Sequence, residues 1–275
     1  MRVIGSVDWS PDDWDYQTSD AEVERVLGEM EAKGEVTIFT FLVWHGKERD
    51  MASPLNDPKL EALLDRLHAQ SDAQVTEIDA YFARRDQEGT LDKENRFDDH
   101  VRGFYADKMV ALDRDKAEFC YQLCRSLRAT RVVEAGTSFG VSTLYLAAAV
   151  RDNRVENGLV IGTEYEPEKA EVARANFREA GLSEFIELRE GDLHQTLQDV
   201  GGPVDFMLVD IWEVALPALE RVSSSLRTGA IVVTDNTAVK SGYYRDYFEF
   251  VNDPRNRLRT MTIPFADGFE LTVRV

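Results

Sequence analysis

From Arg131 onward the chain alternates between two periods. Short, nearly unbroken apolar runs appear at Val132-Val133, Leu159-Val160-Ile161, Phe185-Ile186-Glu187-Leu188, Phe206-Met207-Leu208-Val209 and Ile231-Val232-Val233. Stretches of helical period lie among them over Ser142 to Val150, Pro167 to Ala180 and Val214 to Leu226. Strands this apolar must be covered on both faces, and the interposed helices are the available cover. The expected fold class is therefore α/β: a doubly wound, mostly parallel sheet. The last stretch, from Phe265-Ala-Asp-Gly-Phe269 to Val275, places Leu271, Val273 and Val275 in alternation after a turn and reads as a hairpin closing that sheet.

The strands share a second regularity, because four of them run into an acid: Glu134, Glu164, Asp210 and Asp235. In a doubly wound sheet, ligands sit outside the carboxyl ends of the strands where strand order reverses, so these carboxylates are expected to converge there. After the first strand comes Glu134-Ala-Gly136-Thr-Ser-Phe-Gly140-Val-Ser142. Its two glycines permit a tight turn and close approach to a ligand. Their three-residue gap departs from the dinucleotide fingerprint, which disfavours an NAD-type oxidoreductase. Glu164 ends the second strand, where a carboxylate can accept both hydroxyls of a ribose. That points to an adenosine ligand without saying which one.

The segments VVEAGTSFGVSTLYLA, IGTEYEPEKAEVARANFREAGL, LREGDL, DFMLVDIW and VVTDN resemble, in order and spacing, the class I S-adenosylmethionine-dependent O-methyltransferases of the catechol and caffeoyl-CoA type. The resemblance covers Lys108 to Val275. It implies a Rossmann-like, mostly parallel seven-stranded sheet with a helical N-terminal cap, and S-adenosylmethionine as cofactor. It further implies that Glu134, Gly136 and Ser142 belong to the loop holding the methionine moiety, and that Glu164 binds the ribose. Asp192 would lie by the adenine, Trp212 against its ring, and Met109, in Lys108 to Leu112, over the methyl end. Asp210 would serve both the cofactor region and a divalent metal site, presumed Mg²⁺, with Asp235 and Asn236; oxygen ligands of this kind suit that ion. In the catechol enzymes a lysine shortly after the first metal ligand acts as general base, and here that position is Glu213. Asp210 and Glu213 are thus the catalytic candidates. The insert before the final hairpin is shortened to Met261 to Phe265, which argues against catechol itself as acceptor.

Composition narrows the partners. The formal charge of −19 over 275 residues, with no basic patch to offset it, disfavours nucleic acid and anionic membrane. A small-molecule acceptor is expected, and a homodimer is left open. No apolar run reaches the roughly 20 residues of a bilayer span, and the N-terminus lacks the order of a signal peptide, so a cytoplasmic location is expected. Cys120 and Cys124, the two cysteines, read as buried thiols. None of His45, His68, His100 and His194 is assigned a role. The chain divides into an N-terminal extension (1–50), a helical cap region (51–128) and the cofactor-binding domain (129–275). Within the extension the run Val36 to Trp44 has no assignable partner. Met51 opens a fresh segment whose Leu60, Leu63, Leu64 and Leu67 follow helical spacing behind Asn-Asp-Pro. Residues 71 to 128 read as helices with one polar break over Asp86 to Asn95, the last presenting Phe119, Leu123 and Leu127. A non-catalytic cofactor-binding module that recruits a partner is the rival to a methyltransferase.

Overall fold

The computed structural model describes residues 53–91, 98–211, 214–238 and 244–275. Residues 53–275 form one compact unit. The Val36 to Trp44 run and Asp92 to Asn95 of the polar break lie outside the described residues.

The first helix, α1 (Pro58–Asp72), starts as its sequence dictates. The Asp57 carboxylate accepts from the Leu60 amide at 3.2 Å and Pro58 sits in the first turn. Its four leucines are buried. Then follow α2 (Val75–Gln87), α3 (Asp99–Tyr105) and α4 (Arg114–Leu127). Between α3 and α4 the chain leaves the helical path, so the cap has a second break beyond the polar one. Here Ser71 ties down a strap: its hydroxyl donates to the Met109 carbonyl and accepts from the Ala111 amide, both at 3.0 Å.

Seven strands follow: β1 (Arg131–Ala135), β2 (Leu159–Glu164), β3 (Ile186–Glu190), β4 (Val204–Val209), β5 (Leu226–Asp235), β6 (Leu258–Ile263) and β7 (Phe269–Arg274). Their order in the sheet is 3-2-1-4-5-7-6. The first five are parallel, while β7 runs antiparallel between β5 and β6. Helices α5 (Val141–Asn153), α6 (Pro167–Ala180), α7 (Leu193–Thr196), α8 (Ala215–Ser223) and α9 (Arg245–Asn252) complete the described elements. One apolar cluster joins α1, α4 and α5 to one side of the sheet, and a second joins α8 and α9 to the other. Cap and sheet thus share a core.

Two local expectations are corrected. The helix expected to reach Leu226 ends at Ser223, because Leu226 pairs with Val204 as the opening residue of β5. On α4 the fully buried stripe is Lys116, Ala117, Cys120, Tyr121 and Cys124, with Phe119, Leu123 and Leu127 only partly buried at its edge. The offset arises because α4 packs along α5, whose Val141 to Val150 are all buried. The cysteines are buried thiols, and burial pushes both well above the usual thiol range. Among the described residues no helix is long and apolar enough to cross a membrane.

Candidate active site

The reversal in strand order falls between β1 and β4, and there the carboxyl ends open a crevice. The Asp210 amide donates to the Ala135 carbonyl at 2.9 Å, the last bond before the two strands part. At this point the backbone must turn sharply against its neighbour. Gly136 has φ +98°, and a Cβ on it would stand 2.3 Å from the Asp210 carbonyl oxygen. Only glycine meets both demands. The crevice is lined by the Met109 to Leu112 strap, the loop from Gly136 to Ser142, and Asp210. Met109, Gly136, Ser142 and Asp210 are therefore brought together.

Glu134 lies beneath this floor and is wholly buried. One carboxylate oxygen accepts from the Ser142 hydroxyl at 2.7 Å, and the other accepts from Thr137 at 2.8 Å and from Thr143. Burial pushes its carboxyl above the ordinary range, and the three hydroxyls pull the other way. Glu134 and Ser142 thus spend their polar atoms on each other, pinning the loop to the first turn of α5.

Glu164, at the end of β2, fixes the loop from the other side. Its Oε2 accepts from the Ser138 amide at 2.6 Å, and Oε1 accepts from the amides of Tyr165 and Glu166 at 2.9 and 2.8 Å. Asp192 stands next along the edge, where the Gly191 amide donates to the Glu164 carbonyl at 2.9 Å. It is exposed and caps α7 by accepting from the His194 amide at 2.8 Å. Tyr165, beside Glu164, is 68 % exposed, unusual for a tyrosine at a strand end. Trp212 and Glu213 lie outside the described residues.

Across the reversal, the carboxyl ends of β4 and β5 hold Asp210 and Asp235. Asp235 is buried. The amide nitrogen of Asn236, whose φ of +61° is left-handed, donates to its Oδ2 at 2.5 Å, and the Tyr244 hydroxyl donates to its backbone carbonyl at 2.9 Å. The remaining oxygen, Oδ1, meets the Lys116 ammonium at 2.7 Å, and the same ammonium reaches Asp113 at 2.9 Å. Lys116 is 1 % exposed. Burial works against its charge, but the Asp235 and Asp113 carboxylates prevail and hold its pKa above the usual lysine value. The Asp210 carboxyl is pushed well up by burial, then by the negative charges of Asp235 and Glu134, with Lys116 opposing. Asp235 is pushed up by burial, with Lys116 opposing.

This arrangement does not fit the divalent ion expected at Asp210, Asp235 and Asn236. The Lys116 ammonium stands 2.7 Å from one Asp235 oxygen as an ion pair without hydrogen-bond geometry, and Asn236 offers the other its amide nitrogen. Lys116 was not among the sequence candidates. Its signal was present in the helical spacing: it stands four residues before Cys120 and eight before Cys124, on the buried stripe of α4, where an unpaired lysine has no place.

Known proteins match this region. The Methyltransf_24 family, described as a methyltransferase domain, matches residues 133–237. A catechol O-methyltransferase of Mycobacterium tuberculosis is 33 % identical over 129 residues, covering 46 % of this chain and 57 % of that protein. The chain thus spans little more than half the length of that relative. Caffeoyl-CoA O-methyltransferase 2 of Petunia hybrida is 26 % identical, covering 61 % and 77 %. Among solved structures, the O-methyltransferase TomG of Streptomyces achromogenes, in complex with SAM, aligns with a TM-score of 0.55 at 25 % identity, covering 63 % of this chain and 85 % of that one. In strand order, in the loop after β1 and in these likenesses, the chain has a Rossmann-like methyltransferase fold and is similar to the O-methyltransferases of the catechol and caffeoyl-CoA type.

Proposed function

We propose that this protein transfers the methyl group of S-adenosylmethionine to an oxygen of a small molecule, a phenol or vicinal diol. The observation that carries this reading is the crevice at the β1/β4 reversal, where Gly136, Met109 and Asp210 converge one strand away from Glu164. The loop from Gly136 to Ser142 would hold the methionine moiety under Met109, and Glu164 the ribose. Asp192 and Trp212 would flank the adenine.

In the reaction, an oxygen lone pair attacks the methyl carbon, the carbon–sulfur bond breaks toward sulfur, and the hydroxyl proton passes to a base. Positioning in line with the leaving sulfur supplies much of the rate. Asp210, on the crevice wall with a carboxyl raised by burial, is suited to take that proton, and Glu213 is the second candidate. The Mg²⁺ assistance that the resemblance implies is the part its residues do not fit, and no step runs through it.

Calorimetry with adenosylhomocysteine and, in parallel, NAD tests the cofactor. Turnover of labelled S-adenosylmethionine across a panel of phenols and diols tests the reaction. Binding of adenosylhomocysteine alone and methylation of at least one panel member are expected. Binding without any turnover would leave a cofactor-binding module, and preference for NAD would overturn the reading.

A further inference from the structure

The four acids at the strand ends call for positive charge, and the described residues supply it from an unexpected element. We propose that the Lys116 ammonium, carried on α4, is the resident cation of the Asp210–Asp235 end of the site, standing where related enzymes would place a divalent ion, so that this protein works without one. The proposal rests on the methyltransferase reading for its catalytic consequence, but its physical content is the occupancy of Asp235.

Three observations carry it. Lys116 is 1 % exposed, and its ammonium lies 2.7 Å from Asp235 Oδ1 and 2.9 Å from Asp113, so it is held by two carboxylates and is not a mobile surface lysine. Asn236 completes the coordination of Asp235 by presenting its amide nitrogen to Oδ2, the wrong pole for a cation. A lysine reaches this spot because the strap before α4 ends at Asp113, which turns the first turn of the helix, with Lys116 on its buried side, toward the carboxyl end of β5. Lys116 is a positioning residue in this account. It fixes the Asp235 carboxylate and neutralises part of the charge that Asp210 faces, leaving Asp210 to meet the acceptor.

The test is Mn²⁺ titration of the full-length protein, followed by the electron paramagnetic resonance signal of the free ion, with adenosylhomocysteine calorimetry on the same samples. The native protein should leave the Mn²⁺ signal undiminished up to about millimolar concentrations, and its methylation should survive a chelator. Lys116→Ala should gain Mn²⁺ binding by tenfold or more, and adding Asp235→Asn should abolish the gain. Micromolar Mn²⁺ binding by the native protein that is lost in Asp235→Asn would overturn the proposal. So would a Lys116→Ala protein that still binds adenosylhomocysteine yet gains no affinity for the ion. Should Lys116→Ala fail to fold, Lys116→Gln takes its place, and the titration of the native protein decides by itself. Loss of adenosylhomocysteine binding by the native protein would instead strike the methyltransferase reading, leaving the Mn²⁺ result to stand separately.

Discussion

The two sides of the strand-order reversal solve one problem in opposite ways. Both end in buried or half-buried acids. On the β1/β2 side, Glu134 is surrounded by three hydroxyls and Glu164 by three backbone amides, so each carboxylate is satisfied by neutral donors, all but the Ser138 amide close in sequence. On the β4/β5 side, Asp210 and Asp235 face each other, and the balancing charge comes from a lysine on α4, over ninety positions earlier in the chain. Neutral donors make a rigid seat, suited to a cofactor bound the same way each time. Opposed charges leave a carboxyl whose proton affinity is raised, which suits proton transfer.

The contrast can be broken first at its most buried member. Glu134→Ala would strip the acceptor from three buried hydroxyls and open a cavity beside α5. A loss of about 3 kcal/mol or more is expected, since each buried donor left unmade costs about 1–3 kcal/mol. Urea denaturation measures it. Glu134→Gln keeps the shape, and the hydroxyls can rotate to accept from its amide, so it should cost much less. A loss under about 1 kcal/mol for the alanine variant would mean that the seat is not held by Glu134.

Glu164→Ala should separate ligand affinity from stability on the same side. The residue is near the surface, so the fold should change little. Adenosylhomocysteine, deprived of a charged acceptor for its ribose, should bind more weakly by about 2 kcal/mol, roughly 30-fold. Calorimetry giving unchanged affinity would remove Glu164 from the cofactor site.

The two sides also differed in how far the sequence disclosed them. The neutral side was legible because its parts are local: a glycine loop seven residues long, a strand end and a capping acid all announce themselves in order. The strands and the covering helices followed from periodicity, which depends only on neighbouring residues. The charged side was legible only in part. Asp210, Asp235 and Asn236 could be found at strand ends, but what faces them is set by how α4 packs, and its register was expected one stripe away, at Phe119, Leu123 and Leu127. A one-position rotation of a helix hides a buried lysine. The same limit applies to β5, whose first residue, Leu226, was taken into the preceding helix because its pairing with Val204 is not a local property.

The smallest expected effect sharpens the contrast most finely. Asp210 carries a carboxyl whose pKa is raised in the folded protein, chiefly by burial and next by Asp235 and Glu134. Below its unfolded value, near 4, the group is protonated whether the chain is folded or not, and Asp210→Asn should then match the native protein in stability. As pH rises from there through the folded pKa, the unfolded chain releases the proton while the folded one resists, so the native protein loses stability over that window and the asparagine variant does not. At neutral pH, Asp210→Asn should therefore be the more stable and melt at the higher temperature, even as its methyl transfer falls. Thermal melts at pH 4 and pH 8 read the difference directly. Glu164→Gln, on the side held by neutral donors, supplies the control. An Asp210→Asn protein that gained nothing between pH 4 and pH 8 would show that Lys116 already offsets the burial of Asp210 in full, and the two sides of the reversal would then differ in the source of their donors and not in their balance of charge.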